Sequence, residues 1–468
     1  MRRRTSGGRS EGHPGSASPW SYYVAVDEVY HSKWASKQLA RLEVVREAVR
    51  HLWPRGYPVK LIQVAGTSGK GSTCQFLQRG LSAYTKAGCY VKPHVFDYSE
   101  RFVVEDGLAS HEEIADVWAR DIRPYCVQSA LRGEVWVLDH FEASLLVALR
   151  IFERHKLRWA VIETGLGGRY DPVTALKVEA TVLTNVGQDH EEVLGQELWQ
   201  RALEKGGICR PGVPLFTADS NQITKRVLSG LCRDVGSPLH ILSAGDVRTI
   251  RDAWLKADKS ALSGALLESR YQATNAALAA KVILQLIPSA KIKTVVSKFL
   301  DARFVGRFWA VEKDVFADVA HNPSKTKALS EDLGARFGDA KLVLVVGITG
   351  ARDPVAVIGP LVAHARAVVV TSAGFKGQDP ERVFSSLKES YPGLPMQLAS
   401  DPGTALSVAR NLTSKGEKIL FTGSTYMIDQ ALNKDDKLKL LNGSVGWREH
   451  RQRQVVGTLS FSLPESQR

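Results

Sequence analysis

The segment "PVKLIQVAGTSGKGSTCQFLQRGLSAYTKAG", residues 58–88, constrains the fold more than any other part of the chain. An apolar run leads into three glycines and a lysine, and an amphipathic run follows, so the pattern predicts a buried strand, a glycine loop and a helix ending near Gly88. That order aims several backbone N–H groups and the positive end of a helix dipole into one concavity, which suits phosphate oxygens. Lys70 would add a point charge, and the hydroxyl of Ser72 or Thr73 would be available to Mg²⁺. Gly71 stands between Lys70 and Ser72, one residue more than the usual G-x-x-x-x-G-K-[ST] spacing allows.

Further strand and helix patterns alternate along the chain. "FEASLLVALRIFERHKL" reads as a helix, "RWAVIETGLGG" as a strand opening into a glycine loop, and "EATVLTNVGQDH" as a strand with a polar end. After the helical stretch "ATNAALAAKVILQLIPSAKIKTVVSKFL", three more apolar strands end in small or polar residues: "AKLVLVVGITG", "ARAVVVTSAG" and "EKILFTGSTY". The expected fold is α/β, a mainly parallel nucleotide-binding sheet followed by a smaller Rossmann-like α/β domain. The expected organisation is a basic tail at 1–18, a phosphate-binding domain at 19–300, a second α/β domain at 301–432 and a basic tail at 433–468.

The net charge of +13 invites a polynucleotide reading, but each tail carries about +3, leaving about +7 on the body, and no nucleic-acid motif accompanies it. A surplus of that size suits anionic small molecules. No apolar run reaches the length of a membrane span and the N-terminus lacks an apolar signal core, so a cytoplasmic protein without membrane or nucleic-acid partners is expected. Five scattered cysteines without C-x-x-C spacing read as reduced thiols, not as a disulfide frame or zinc site.

Glu163 at one strand end is a candidate Mg²⁺ ligand, and His190 at another is a second. Taken singly, each reads first as a turn, capping or packing residue, and Lys205 in "ALEKGGICRPG" as a solvated one. In combination they resemble the folylpolyglutamate synthase and dihydrofolate synthase branch of the Mur ligase superfamily. "GTSGKGS", "ETGLGGRYD", "TNVGQDHEEVLG", "EKGGICRPG", "VGRF", "DVAHNP" and "TGSTY" match that family's motifs in order between about residue 60 and residue 430.

The resemblance implies that ATP phosphorylates a substrate carboxylate and that an amino acid's nitrogen attacks the acyl phosphate. It implies that Gly69, Lys70, Gly71 and Ser72 hold the phosphates and that Ser72, Glu163, His190 and a carbamylated Lys205 bind metal. Asn275, Arg307 and Asp318 match ATP contacts; His321 and Ser424 match positions near the incoming amino acid. Lys70, Lys205 and His321 become the catalytic candidates, and Lys92, Arg101, Asp171 and Ser424 the substrate-side ones. The implied partners are ATP, Mg²⁺, a folate-like carboxylate and L-glutamate, acting on a monomer.

The match departs from the family at Lys92 in "VKPHVFDYSERF", where members have a Mg²⁺-binding serine. A protonated ammonium cannot ligate a metal. Either one magnesium is held differently, or the lysine charge takes part of its role, or catalysis is weakened. "DPVT" after the glycine loop, Tyr271-Gln272 and Arg352-Asp353 also depart, leaving open a ligase for another carboxylate or a non-catalytic nucleotide-binding descendant.

Overall fold

The computed structural model describes residues 38–105, 107–131, 138–188, 190–257, 270–302 and 304–435, together with Tyr22, Ala25 and Val26. The tail at 1–18 and all but the first residues of the tail at 433–468 lie outside the described residues.

Two sheets organise the chain. The first uses β1 (Lys60–Ala65), β2 (Ala87–Tyr90), β3 (Phe102–Val104), β4 (Gly107–Leu108), β5 (Trp159–Glu163), β6 (Ala180–Leu183), β7 (Leu215–Thr217) and β8 (Leu239–Ile241). Their spatial order is β4-β3-β2-β5-β1-β6-β7-β8, parallel except for the antiparallel β2–β3 and β3–β4 pairs. The second sheet uses β9 (Trp309–Glu312), β10 (Val315–Ala317), β11 (Leu342–Val346), β12 (Ala365–Val370), β13 (Met396–Leu398) and β14 (Lys418–Thr422), ordered β13-β12-β11-β14-β10-β9. There only β9 runs antiparallel. The expected mainly parallel α/β architecture is what forms.

A parallel sheet must be covered on both faces, so its strands read as unbroken apolar runs. In β1, Leu61 packs with the helix His140–Arg154 on one face, and Ile62 and Val64 pack with the helices Lys70–Ser82 and Arg270–Leu286 on the other. Gly80 permits that second contact: a Cβ there would meet Ile283 Cδ1 at 2.4 Å. The helix after the glycine loop is shorter than the sequence suggests, ending at Ser82, while Ala87–Tyr90 turns into strand β2. Gly88 is therefore not a helix stop. It lets β2 approach its neighbours, since a Cβ would sit 2.6 Å from Val103 O and 2.5 Å from Leu157. The long apolar stretch before residue 301 is likewise two helices, Arg270–Leu286 and Ile292–Phe299, interrupted around Pro288.

One loop of the first sheet enters the second half of the chain. Val95 is buried with Val315, Val319 and Phe421, and the Phe96 ring lies 5.3 Å from that of Trp309. Asn433 Nδ2 donates to Phe96 O at 3.0 Å. Behind this loop, Tyr22 Oη donates to Asp97 Oδ1 at 2.6 Å, His111 Nε2 meets Asp97 Oδ2 at 2.7 Å, and the Tyr22 and His111 rings stack at 3.8 Å. Burial works to raise the Asp97 carboxyl, but the His111 and Tyr22 hydrogen bonds outweigh it and hold the group at about 2. The bond to Asp97 lifts His111 above its ordinary value against an opposing effect of burial. No helix among the described residues is long and apolar enough to cross a membrane.

This clasp makes stability depend on pH in a stated direction. The His111 contribution is fully present below its unfolded value near 6.5 and is lost as pH rises through its raised folded value; the Asp97 contribution is lost as pH falls below 3.8 toward 2. Urea denaturation of His111→Ala against the parent should show a stability gap at pH 5–6 that shrinks as pH rises above 6.5 through the raised folded value. A gap constant over that range would rule out the ion pair as its source.

Candidate active site

The C-terminal ends of β5, β1 and β6 lie side by side, with Val64 in register with Glu163 and Ala65 with Leu183. Chemistry-bearing side chains from three sequence-distant segments therefore share one sheet edge, the usual place for ligands in open α/β sheets. The glycine loop follows β1. Gly66 runs so close to β6 that a Cβ would meet Thr184 Oγ1 at 1.9 Å, and Gly69, at φ 78°, would bring one within 2.5 Å of Asn275 Oδ1.

Side chains that sequence reasoning left unassigned set the loop's shape. Ser68 N donates to Asn185 Oδ1 at 3.0 Å, Gly187 N to Thr67 Oγ1 at 2.9 Å, and Asn185 Nδ2 to Tyr271 Oη at 3.0 Å. Asn185 lies inside the quoted "TNVGQDH", so its polar position at a strand end was the available signal.

A cleft of about 1040 Å³ opens beyond the loop, walled by residues from both halves of the chain. Gly69, Lys70, Gly71 and Ser72 form its floor. Lys70 Nζ donates to the loop's own Gly66 O at 2.9 Å, and Ser72 Oγ accepts from Gln272 Nε2 at 3.3 Å. A Cβ on Gly71 would lie 3.5 Å from Glu163 Oε2 and 3.9 Å from Arg307 Nη2, so the loop, the β5 carboxylate and a guanidinium from the second half converge there. Glu163 is 3 % exposed, and its Oε2 accepts from Lys92 N at 2.9 Å. Asn275 stands behind the loop, where Thr73 Oγ1 reaches its Oδ1 at 3.5 Å. Lys205 is buried beneath the loop, with Nζ 3.5 Å from Gly66 O.

From the second half, Asp318 accepts from Phe308 N and Ala320 N, both at 2.8 Å. Burial raises its carboxyl although Arg307 opposes the shift. His321 donates from Nδ1 to Val319 O at 2.8 Å, and its Nε2 lies 3.2 Å from Lys325 Nζ. Burial, then Lys325 and Arg352, push this imidazole well below its usual value, so it is neutral with Nε2 as the acceptor.

On the opposite wall, Lys92 Nζ would lie 3.3 Å from a Cβ on Gly165, and Arg101 Nε donates to His94 Nδ1 at 2.9 Å. His140 also faces the cleft, and burial followed by Arg101, Lys92 and Lys376 lowers it to about 3.

Three expected residues make other contacts in this structure, and two of them, Asp171 and His190, line the cleft. His190 lines the cleft, exposed in a left-handed turn with Nδ1 3.3 Å from Glu192 Oε1. Among the described residues, no three His, Cys, Asp or Glu side chains converge as a metal cluster. Asp171 spends its carboxylate on the N–H groups of Gly165, Leu166 and Val173, holding the glycine loop after β5. Ser424 is 1 % exposed and caps the last helix by accepting from Met427 N; its neighbours Thr425 and Tyr426 face the cleft instead.

Residues 306–425 match the Mur ligase, glutamate ligase domain. A "Dihydrofolate synthase/folylpolyglutamate synthase" of Haemophilus influenzae is 27% identical over 445 residues, covering 88% of this chain and 97% of the relative. A "Probable bifunctional folylpolyglutamate synthase/dihydropteroate synthase" of Haloferax volcanii is 28% identical over 410 residues, or 83% of this chain; the match spans 48%, about half, of that longer relative. Among solved structures, the bifunctional folylpolyglutamate synthase/dihydrofolate synthase of Yersinia pestis complexed with AMPPNP and Mn superposes with a TM-score of 0.70 at 24% identity, covering 89% of this chain and 98% of that one.

The two-sheet fold, with a glycine loop facing the second half of the chain across a cleft, is the fold of that Yersinia structure, and its second half carries the Mur ligase, glutamate ligase domain. Over most of its length the chain is similar to folylpolyglutamate and dihydrofolate synthases at 27–28% identity.

The loop geometry makes Gly69 a direct test of the floor. A side chain at its left-handed position costs roughly 1–2 kcal/mol before the Asn275 contact is counted. Gly69→Ala should keep the parent's circular dichroism and weaken ADP binding at least tenfold by calorimetry; unchanged affinity would remove the loop from nucleotide binding.

Proposed function

We propose that this protein is an ATP-dependent amide ligase that activates a carboxylate as an acyl phosphate and joins it to an amino acid, most plainly glutamate onto a folate or dihydropteroate. The observation that carries the reading is the convergence at Gly71, where the phosphate loop, Glu163 and the Arg307 of the other half meet. The names of the Haemophilus and Haloferax relatives support the substrate class.

In this reading the carboxylate oxygen attacks the γ-phosphorus of ATP and ADP leaves. The amino acid's nitrogen then attacks the acyl carbon, loses a proton, and expels inorganic phosphate carrying one of the original carboxylate oxygens. A free carboxylate is a poor electrophile, so the first step supplies the leaving group. Positioning and cationic stabilisation of the phosphoryl group supply most of the remaining rate.

Loop N–H groups and Lys70 hold the phosphates, with Lys70 exchanging its contacts on Gly66 and Thr67 for phosphate oxygens. Arg307 meets developing charge from the second half, and Asp318 fixes the Arg307–Phe308 backbone. His321, neutral and acceptor at Nε2, stands with Lys325 where an amino acid would enter. Lys92 and Arg101 present cations to the acidic substrate.

The donor set suits a hard cation, since Ser72 Oγ and the buried Glu163 carboxylate offer oxygen beside the loop. Those two would hold Mg²⁺; His190 would join them only by leaving Glu192, and Lys205 only as a carbamate. Bound there, the ion would neutralise phosphoryl charge.

Purified protein with ATP and Mg²⁺ should release phosphate only when both a carboxylic acid from a folate panel and glutamate are present, with a product heavier by one glutamyl unit. Release without glutamate, or none with any acid, would overturn the reading. Lys205→Ala should lower turnover at least a hundredfold with near-native ADP affinity, whereas parental turnover would exclude Lys205 from the chemistry. Lys92→Ser should shift the Mg²⁺ concentration giving half-maximal rate; an identical Mg²⁺ profile and rate would free Lys92 of any part in phosphoryl transfer.

A further inference from the structure

Two of the five thiols stand together outside the cleft. Cys209 Sγ and Cys232 Sγ lie 3.5 Å apart, from a turn and a helix separated by 23 residues. Cys209 is half-buried in the turn leaving the helix Leu198–Gly206, and Cys232 sits in the last turn of the helix Gln222–Val235. Backbone packing holds the pair: a Cβ on Gly206 would meet Leu231 at 2.7 Å and Leu228 at 2.8 Å, so the two helices are in close contact. By contrast, Cys74 and Cys89 are 0 % exposed in the sheet core, where burial pushes both thiols up. The hydrogen bond from Cys209, helped by Ser237 against burial, draws the Cys232 thiol down and favours its reactive form.

The turn bearing Cys209 is mechanically tied to the site. It follows Lys205 by four residues. Arg210 reaches Gln63 Oε1 at 2.7 Å and Thr174 O at 3.1 Å, and Arg169 N donates to Glu204 O at 2.9 Å. A Cβ on Gly207 would strike Arg169 Cβ at 2.4 Å. Segment 204–210 therefore abuts the glycine loop that Asp171 braces.

We propose that Cys209 and Cys232 form a reversible disulfide that restrains the Lys205-bearing segment and lowers ligase turnover; the turnover clause rests on the function proposed above. With a peroxide as oxidant, one thiolate attacks a peroxide oxygen, the O–O bond breaks, and a sulfenic acid and one water form. The second thiolate then attacks that sulfur and displaces the oxygen as a second water. Two S–H bonds and one O–O bond are lost, one S–S bond and two O–H bonds are gained as the thiol protons pass to the two waters, and the two electrons of the thiols reduce the peroxide. Disulfide sulfurs lie about 2.05 Å apart, so closure brings the two sulfurs roughly 1.5 Å closer, by side-chain rotation and by drawing the turn toward the helix, and it tethers the turn covalently. Displacements of that size near a reacting centre can cost on the order of a hundredfold in rate.

The full-length protein is treated with hydrogen peroxide and digested without reductant, and the 209–232 cross-linked peptide is sought by mass. Hydrogen–deuterium exchange across 204–210 and ligation rate are followed before and after dithiothreitol. The cross-link should form, exchange should slow, and turnover should fall at least fivefold and recover on reduction, while Cys232→Ser and Cys209→Ser keep the parental rate under peroxide. Absence of the cross-link, unchanged exchange, or a cross-linked enzyme with full turnover would each overturn the proposal. A reduced protein with no ligation at all would refute the function reading instead, and cross-link and exchange would still decide this one.

Discussion

The site depends on the close approach of the glycine loop to the end of β6. Gly66 lies so near Thr184 that no side chain fits between them, and that contact sets where the loop N–H groups point. The contact exists because the parallel sheet is covered on both faces, with Leu61 on one side and Ile62 and Val64 on the other. A sheet sealed in this way leaves its polar strand ends as the open edge. Glu163, Thr184 and Asn185 are there for that reason, and the hydrogen bond from Ser68 to Asn185 converts sheet register into loop shape.

Electrostatics complete what register begins. Lys70, Lys92, Arg101, Arg307, Lys325, Arg352 and Lys376 all face one cleft. Glu163, Asp171 and Asp318 among them accept from backbone N–H groups, so part of their charge is spent holding loops. With Glu204, Asp332 and Asp429 also lining it, the cleft keeps a small excess of positive charge suited to anions, with His140 and His321 kept neutral inside it.

Local patterns made much of this legible. The apolar runs around β1, β5, β11, β12 and β14 announced themselves by composition, and the glycine loop by its lysine. Long-range packing was not legible in the same way. Gly88 read as a helix stop because its role, letting β2 approach Val103 and Leu157, depends on strands that pair only in the fold. Asp171 and Ser424 also serve short-range bonds that sequence does not announce: Asp171 lines the cleft while accepting from Val173 N, and Ser424 accepts from Met427 N. The Tyr22–Asp97–His111 clasp and the Cys209–Cys232 pair join segments whose sequences carry no shared signal.

The central claim is that a carboxylate passes through an acyl phosphate in the cleft between the two sheets. A folate-type acid labelled with ¹⁸O in its carboxylate, incubated with enzyme, ATP, Mg²⁺ and glutamate, tests it directly through the mass of the released phosphate. One ¹⁸O atom transferred to inorganic phosphate for each amide formed is the predicted result. Amide formation with unlabelled phosphate would show that the carboxylate oxygen never bonded to phosphorus and would contradict the account.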